Sequence, residues 1–388
     1  MRKPQATFLL SVALVALLIL LVFTSMWTIQ LTSQEGSAQI TLVSSAVPAD
    51  APALKQGLIT ESGHTYFYNQ DGTLFTDGYK ELTTDGQTQI YYFLPNGQAF
   101  TSGYKAVNLP DGTGYFFFQE DGTAFTGGYK ELSFGDETYL YFFAEDGRAV
   151  AAQWMDAPEG RRYFGETGRA LKDTFLTLEG KTYRFTEDAT LLVNSWFCLE
   201  GEEAYRYAGE DGALATDTVV EGYRLDDAGK SRTKYRIIQY VNKHTDPSMT
   251  NDEKIQALYD WILHSNMCYI RSYEHVRSNW RWKDSWVDDM AASHMDNWGG
   301  NCYRYASFSG MLLREATGLP VRVYHGSTYT SKGTLTPHSW CAVYQDDGWY
   351  IYDVELQKFT AYARYQCFKL PENESFQHVN GVATDLYS

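Results

Sequence analysis

The chain has 388 residues, with 32 Lys plus Arg against 48 Asp plus Glu, a formal net charge of −16. That length suits two or three domains, and 44% hydrophobic with 21% charged residues excludes a globally disordered chain. The acid excess excludes a nucleic-acid binder, which needs clustered Lys and Arg to neutralise phosphate, and five Cys are too few for a disulfide-dense mini-domain.

At the N-terminus, Arg2 and Lys3 precede an apolar run from Phe8 to Phe23, and no charge follows until Glu35. As a signal peptide the run is slightly long, and no small-x-small site follows it closely; Ser44-Ser45-Ala46 is distant. As an anchor helix, Phe8 to Leu31 would reach roughly 36 Å, enough for a bilayer core. The length criterion favours the uncleaved anchor, and the basic residues before the run direct the remaining chain outward. Thr32 to Ala53 is rich in Ser, Ala, Pro and Thr without periodicity and is expected to be a flexible tether.

A repeat follows. Asp71-Gly72-Thr73-Leu74-Phe75-Thr76-Asp77-Gly78-Tyr79-Lys80 returns from Asn96 to Lys105 and from Asp121 to Lys130. Weaker copies bring the starts to 71, 96, 121, 146, 167, 188 and 211. Each copy has an aromatic strand before it, such as Tyr66-Phe67-Tyr68 or Phe116-Phe117-Phe118. The Asp-Gly or Asn-Gly pair supplies the positive φ of a hairpin turn, and a short second strand and Gly-Tyr are expected after it. One such hairpin cannot bury its aromatic face alone, so neighbours must stack into a β-solenoid. The acidity belongs to this region. Residues 51–230 carry 29 acidic and 14 basic residues, whereas residues 231–388 carry 17 and 16.

Over residues 57–230 the units resemble the cell-wall-binding repeats of Gram-positive surface proteins, the choline- and glucan-binding class also found in clostridial toxins. The resemblance implies binding of a wall polymer of carbohydrate or teichoic acid type. In choline-binding members, aromatics of adjacent repeats cage a quaternary ammonium. Here Gly-Tyr stands where Gly-Trp is expected, which makes Tyr79, Tyr104 and Tyr129 the wall-ligand candidates. The alternative is that these aromatics are all solenoid core.

From about Arg232 the period becomes helical. Thr250 and Glu253 form a capping-box pattern, and Ile255, Leu258, Tyr259 and Ile262 recur on one face, so a helix is expected from Asn251 to about Asn266. The stretch Trp298-Gly299-Gly300-Asn301-Cys302 then opens a second helix that stops at Gly318. A thiol in a helix's first turn meets partial positive charge that favours thiolate, and the Gly pair would let a substrate backbone approach. Downstream, Pro337-His338-Ser339-Trp340 begins a strand, and Trp349 to Asp353 returns after an acidic turn. With a loop at residues 345–348, Tyr344 pairs with Trp349 and Asp353 falls diagonal to His338 on one face. A two-residue loop at Asp347-Gly348 would part them. The remaining Cys198, Cys268, Cys341 and Cys367 lack the Gly-helix context and are expected as buried free thiols. His264, His275 and His294 are too irregularly spaced for a zinc site. The stretch from Trp280 to Trp286 could wall a substrate groove or pack in the core.

Gly300-Asn301-Cys302, His338-Ser339-Trp340 and Tyr352-Asp353 together resemble the transglutaminase-like superfamily, a papain-like cysteine fold, over about residues 235–370. The resemblance implies Cys302 as nucleophile, His338 as general base and acid, and Asp353 as the imidazole's orienter, with a thioester on Cys302 released by water or amine. It implies an oxyanion donor besides the Cys302 N–H, for which Trp298, Asn301 and Trp340 are the oxyanion or substrate candidates.

The expected architecture is multidomain: a signal anchor or signal peptide at 1–31, a linker at 32–56, a β-hairpin repeat solenoid at 57–230, and an α+β papain-like transglutaminase-core domain at 231–388. The expected activity is peptide or isopeptide hydrolysis at the cell surface without metal or cofactor. A crosslinking transamidase and an inactive wall-binding adhesin are the alternatives. The expected partners are a wall polymer, a peptide or protein substrate, and the membrane through the N-terminal helix.

Overall fold

A computed structural model describes residues 27–34, 37–44, 54–84, 86–271, 283–346, 348–360 and 367–387. It forms two compact units, Met1–Thr126 and Gly127–Ser388.

In the first unit, the apolar run Phe8 to Phe23 lies outside the described residues. The expected end of the anchor helix is extended instead. Trp27–Gln34 pairs antiparallel with Ser37–Ser44, so the helical reading fails for Trp27 to Leu31 and the tether reading fails up to Ser44. Alternation of Thr, Ile and Leu with Gln and Ser suits a strand. Among the described residues, no helix is long and apolar enough to cross a membrane.

The repeats form separate two-stranded antiparallel hairpins: Gly57–Glu61 with His64–Tyr68, Gly78–Thr84 with Gln87–Phe93, and Gly103–Leu109 with Gly112–Phe118. The Gly-Tyr segment opens the second and third hairpins, Gly57-Leu58 opens the first, and the aromatic strand closes each. The repeated Asp-Gly pair therefore does not join two regular strands, as expected from its turn chemistry. It folds the chain back only as far as single bridges, Phe93↔Ala99 and Phe118↔Ala124. The Asx side chain holds this turn locally, with Asp71 Oδ1 accepting from Thr73 N at 3.0 Å and Asn96 Oδ1 from Gln98 N at 3.1 Å. Beyond the turn the backbone leaves to bond the preceding repeat. Ala99 N donates to Thr65 O and Ala124 N to Ile90 O, both at 2.8 Å. These bonds stack the repeats and bury Phe93, Phe116 and Phe118 completely, each worth ~2–3 kcal/mol relative to exposure.

The second unit continues the pattern with hairpins from Gly128–Phe134 with Glu137–Phe143 through Thr218–Val220 with Tyr223–Leu225. Ala170 N, Leu191 N and Leu214 N make the same backbone bonds to the repeat before. Helices then take over at Arg232–His244 and Asn251–His264, the second carrying the expected capping box, with Glu253 N to Thr250 Oγ1 at 3.3 Å and Thr250 N to Glu253 Oε2 at 2.7 Å. The helix Cys302–Thr317 is the hub. It is buried along nearly its whole length, and it lies against Val321–Tyr329 and Leu335–Gln345 of a five-stranded antiparallel sheet. In spatial order that sheet runs Leu370–Pro371, Gly348–Tyr352, Leu335–Gln345, Val321–Tyr329, Val379–Asp385. Gly318 ends the hub helix in the left-handed region at φ 69°, as its stop signal predicts.

No linker separates array from helices. Lys234 Nζ reaches Glu315 at 2.7 Å, Tyr223 Oη donates to the same oxygen at 3.0 Å, and Asp288 accepts from Arg224 N and Thr233 Oγ1. Tyr223 of the last hairpin thus belongs to the same buried cluster as Leu312 and Val323.

Candidate active site

Cys302 is the first residue of its helix, and the Asn301 side chain caps that helix by accepting from Arg304 N at 3.4 Å. Before it, Gly299–Gly300 pairs in parallel with Cys268–Tyr269. This pairing gives the Gly pair a different cause from the expected substrate approach. At Gly299, with φ 147°, a Cβ would stand 2.1 Å from Cys268 O. The chain's own backbone requires the glycine there, and the pairing pins the start of the Cys302 helix.

His338 lies on the strand Leu335–Gln345, opposite Gly326. The next turn is tighter than the four residues expected, because Gln345 and Gly348 themselves pair; the register Tyr344↔Trp349 is the expected one. It delivers Asp353 just past the strand Gly348–Tyr352, where it caps the short helix Val354–Phe359 through Oδ1, which accepts from Leu356 N at 3.0 Å. Its Oδ2 faces His338 Nε2 at 2.6 Å. The Cys302 side chain acts on the same ring, whose Nε2 is turned to Asp353. All three residues are buried.

Burial alone would push the His338 imidazole down. The Asp353 charge and hydrogen bond, with Cys302, outweigh it and hold the imidazole's pKa well above its ordinary value. Burial would likewise raise the Asp353 carboxyl, but His338 and a second imidazole hold it well below the usual carboxylate range. That second ring is His378, a residue sequence reasoning missed. Its Nε2 sits 2.9 Å from Asp353 Oδ2 and its Nδ1 2.6 Å from Ser375 Oγ. No sequence signal marks it, since it is one histidine in an irregular stretch ahead of the edge strand. Glu355 was missed as well. Its carboxylate is 3.9 Å from His338 Nδ1, and burial pushes its pKa up to about 7.

Ligand atoms of His338, Asp353 and His378 lie within 4.8 Å of one another, a spacing that could hold a metal ion. Separations of 2.6 and 2.9 Å are those of hydrogen bonds between imidazole and carboxylate. A metal bound at ~2.0–2.1 Å by both nitrogens and the oxygen would need these groups to spread.

The other candidates are placed as follows. The Trp298 indole donates to Asn266 Oδ1 at 2.8 Å and packs against Tyr240 and Trp261. The Trp340 indole stacks on Tyr324 at 5.3 Å, and its N–H is buried without a hydrogen-bond partner among the described residues. Tyr79 donates to Glu81 and packs 5.6 Å from Phe116, while Tyr104 stacks on Tyr115 at 5.9 Å. Tyr129 is exposed beside Arg162, in the wall of a cavity of about 660 Å³ that lies in the repeats, away from Cys302.

All five cysteines are free. Cys341 and Cys367 are buried and their thiols are pushed well up by that burial, which disfavours the thiolate. Contrary to expectation, Cys268 is exposed and Cys198 half-buried. His294 is a core residue stacked on Phe308 at 4.5 Å, with burial pushing its pKa down to about 3. Trp286 is also core, donating to Thr384 Oγ1 at 2.9 Å. His275, Trp280 and Trp282 lie outside the described residues.

Residues 238–354 match the family model of the transglutaminase-like superfamily. No curated protein matches the sequence. Among solved structures, the choline-binding domain of CbpL from Streptococcus pneumoniae is similar at 18% identity, covering 46% of this chain and 86% of that one with a TM-score of 0.33. CbpJ from Streptococcus pneumoniae is similar at 17% identity, covering 54% and 71% with a TM-score of 0.34.

Proposed function

We propose that the chain is a surface-located cysteine hydrolase acting on peptide or isopeptide amide bonds, docked on a cell-wall polymer by its repeats. The 2.6 Å contact of His338 Nε2 with Asp353 Oδ2, on a buried ring that Cys302 also acts on, carries this reading. Cys302 Sγ attacks the amide carbonyl as its proton passes to His338. Asp353 holds the ring in register and stabilises the imidazolium. The C–N bond breaks as His338 returns the proton to the leaving amine, leaving a thioester on Cys302. Water, deprotonated by His338, then attacks the thioester, and the thiol is regenerated as the acid departs. The Cys302 N–H, in the first helical turn, has no partner within its helix and supports the oxyanion, with the Trp340 indole N–H as the candidate second donor. An intact triad opposes the adhesin reading, and an amine in place of water would give a crosslink through the same thioester.

The repeat array supports docking through its resemblance to wall-binding repeats, with Tyr129 as its exposed aromatic. Tethering raises effective substrate concentration, so the catalytic site need not bind tightly. The proposed location is extracytoplasmic, with the N-terminal apolar run serving as export signal or anchor.

The test is primary-amine release from purified cell walls by the full chain, with and without iodoacetamide. Release abolished in Cys302→Ala, while that variant still sediments with walls, is the expected result. Release that persists in Cys302→Ala overturns the nucleophile; walls that fail to retain either protein overturn the docking.

A further inference from the structure

The first unit holds two aromatic corners that are already occupied. The rings of Phe67 and Phe75 stand 6.3 Å apart at 89°. Lys80 Nζ sits over both, 4.2 Å from one centroid and 4.5 Å from the other. One repeat on, Lys105 Nζ sits over Tyr92 at 4.4 Å and Phe100 at 5.4 Å. Lysine and both rings advance by the same 25 residues, so this is one device built twice. It sits in the Gly-Tyr-Lys segment, whose lysine the wall-binding reading does not use.

Neither lysine has a carboxylate partner among the described residues. Each is half-buried, with its ammonium set over two aromatic rings. An ammonium within about 6 Å of a ring face is attracted by the ring's quadrupole, and such contacts ordinarily occur about once per 70–80 residues. Two of them, each over a pair of rings and exactly one repeat apart in sequence, are therefore a property of the repeat. In the second unit the cation–ring contacts differ, with Arg161 over Trp154 at 4.6 Å and Arg184 over Phe175 at 5.1 Å, each arginine also paired with a carboxylate, Asp156 or Asp173.

We infer that Lys80 and Lys105 are specificity-determining residues that fill two aromatic cation sites from within and close them to quaternary ammonium groups. A ligand cation reaching either corner meets a like charge already seated on both rings. Removing the ammonium leaves a two-walled aromatic site of the kind a trimethylammonium group occupies. This concerns the ligand class of the array proposed to dock on walls, and a small cation tests it apart from docking. Loss of wall retention alone would leave the corners' behaviour intact.

The experiment titrates tetramethylammonium chloride into the full chain, read by saturation-transfer NMR on the methyl protons and by calorimetry, against sodium chloride at equal ionic strength. Wild type is expected to show no saturable binding. Lys80→Ala and Lys105→Ala are each expected to gain a saturable site at least about tenfold tighter than any wild-type signal, and Lys80→Arg, which restores a cation, is expected to lose it. Circular dichroism confirms the fold, and Lys80→Met, which keeps the aliphatic stem without charge, replaces the alanine variant if that one unfolds. Saturable binding by wild type equal to that of the variants overturns the inference. So does silence from folded variants at both corners.

Discussion

His378 donates to the same oxygen of Asp353 that holds His338, at 2.9 Å against 2.6 Å. Asp353 therefore has every direction fixed. Oδ1 caps the helix Val354–Phe359, and Oδ2 lies between two imidazoles. In the proposed mechanism His378 is a positioning residue whose effect would reach Cys302 through Asp353 and His338. His378→Ala is expected to lower kcat by roughly 10- to 100-fold with KM little changed, the scale set by misplacing a catalytic group by about 1 Å. His378→Gln, which keeps a donor, should recover part of it. Iodoacetamide alkylation of Cys302 should slow in parallel. Unchanged kcat and alkylation in His378→Ala would remove the residue from the site.

Much of this site was legible in the sequence, and the reasons are local. Cys302 stands out because two glycines and a helix signal flank it. His338 and Asp353 stand out because strand alternation puts them on one face if the turn allows it; the turn left two registers open, and the Tyr344↔Trp349 pairing is the one that brings them together. His378 and Glu355 were not legible, because their roles come from how an irregular segment and a short helix close over the sheet. The Gly299 requirement was misread for the same reason, since a parallel pairing with Cys268 leaves no local pattern. In the array, the aromatic period identified the β-hairpin repeats. The hairpins were placed half a repeat out because Asp-Gly turn chemistry is the same whether a strand or a single bridge follows.

Asp288 gives the second unit a stability that depends on pH. Burial pushes its carboxyl from 3.8 up to about 7, although Arg224 N and Thr233 bond it. A raised carboxyl binds its proton more tightly in the folded chain. Its stabilising contribution is full below about pH 4 and is lost as pH rises through 7. Asp288→Asn is expected to raise stability at pH 8 by up to about 4 kcal/mol, with the gap narrowing as pH falls below about 7 and closing near pH 4. Thermal unfolding across that range measures it, and a gap that widens toward acid would contradict the assignment.

Glu315 joins the last hairpin to the helices by holding Lys234 and Tyr223 on one oxygen. The Lys234 side chain is only 5% exposed, so Glu315→Ala leaves a buried ammonium unpaired. The expected cost is about 3–5 kcal/mol in urea unfolding. Lys234→Met combined with Glu315→Leu should recover most of it. A loss below about 1 kcal/mol would mean that the array and the helices are joined by packing alone.

The most direct measurement is mass spectrometry of wall peptides and surface proteins after exposure to the full chain, with Cys302→Ala as the control. The account expects a gain of water at cleaved amides that is present with wild type and absent with the variant. Loss of ammonia at new crosslinks would keep Cys302 as nucleophile but replace hydrolysis with transamidation. A mass change that persists in Cys302→Ala, or no change with active wild type, would contradict the account.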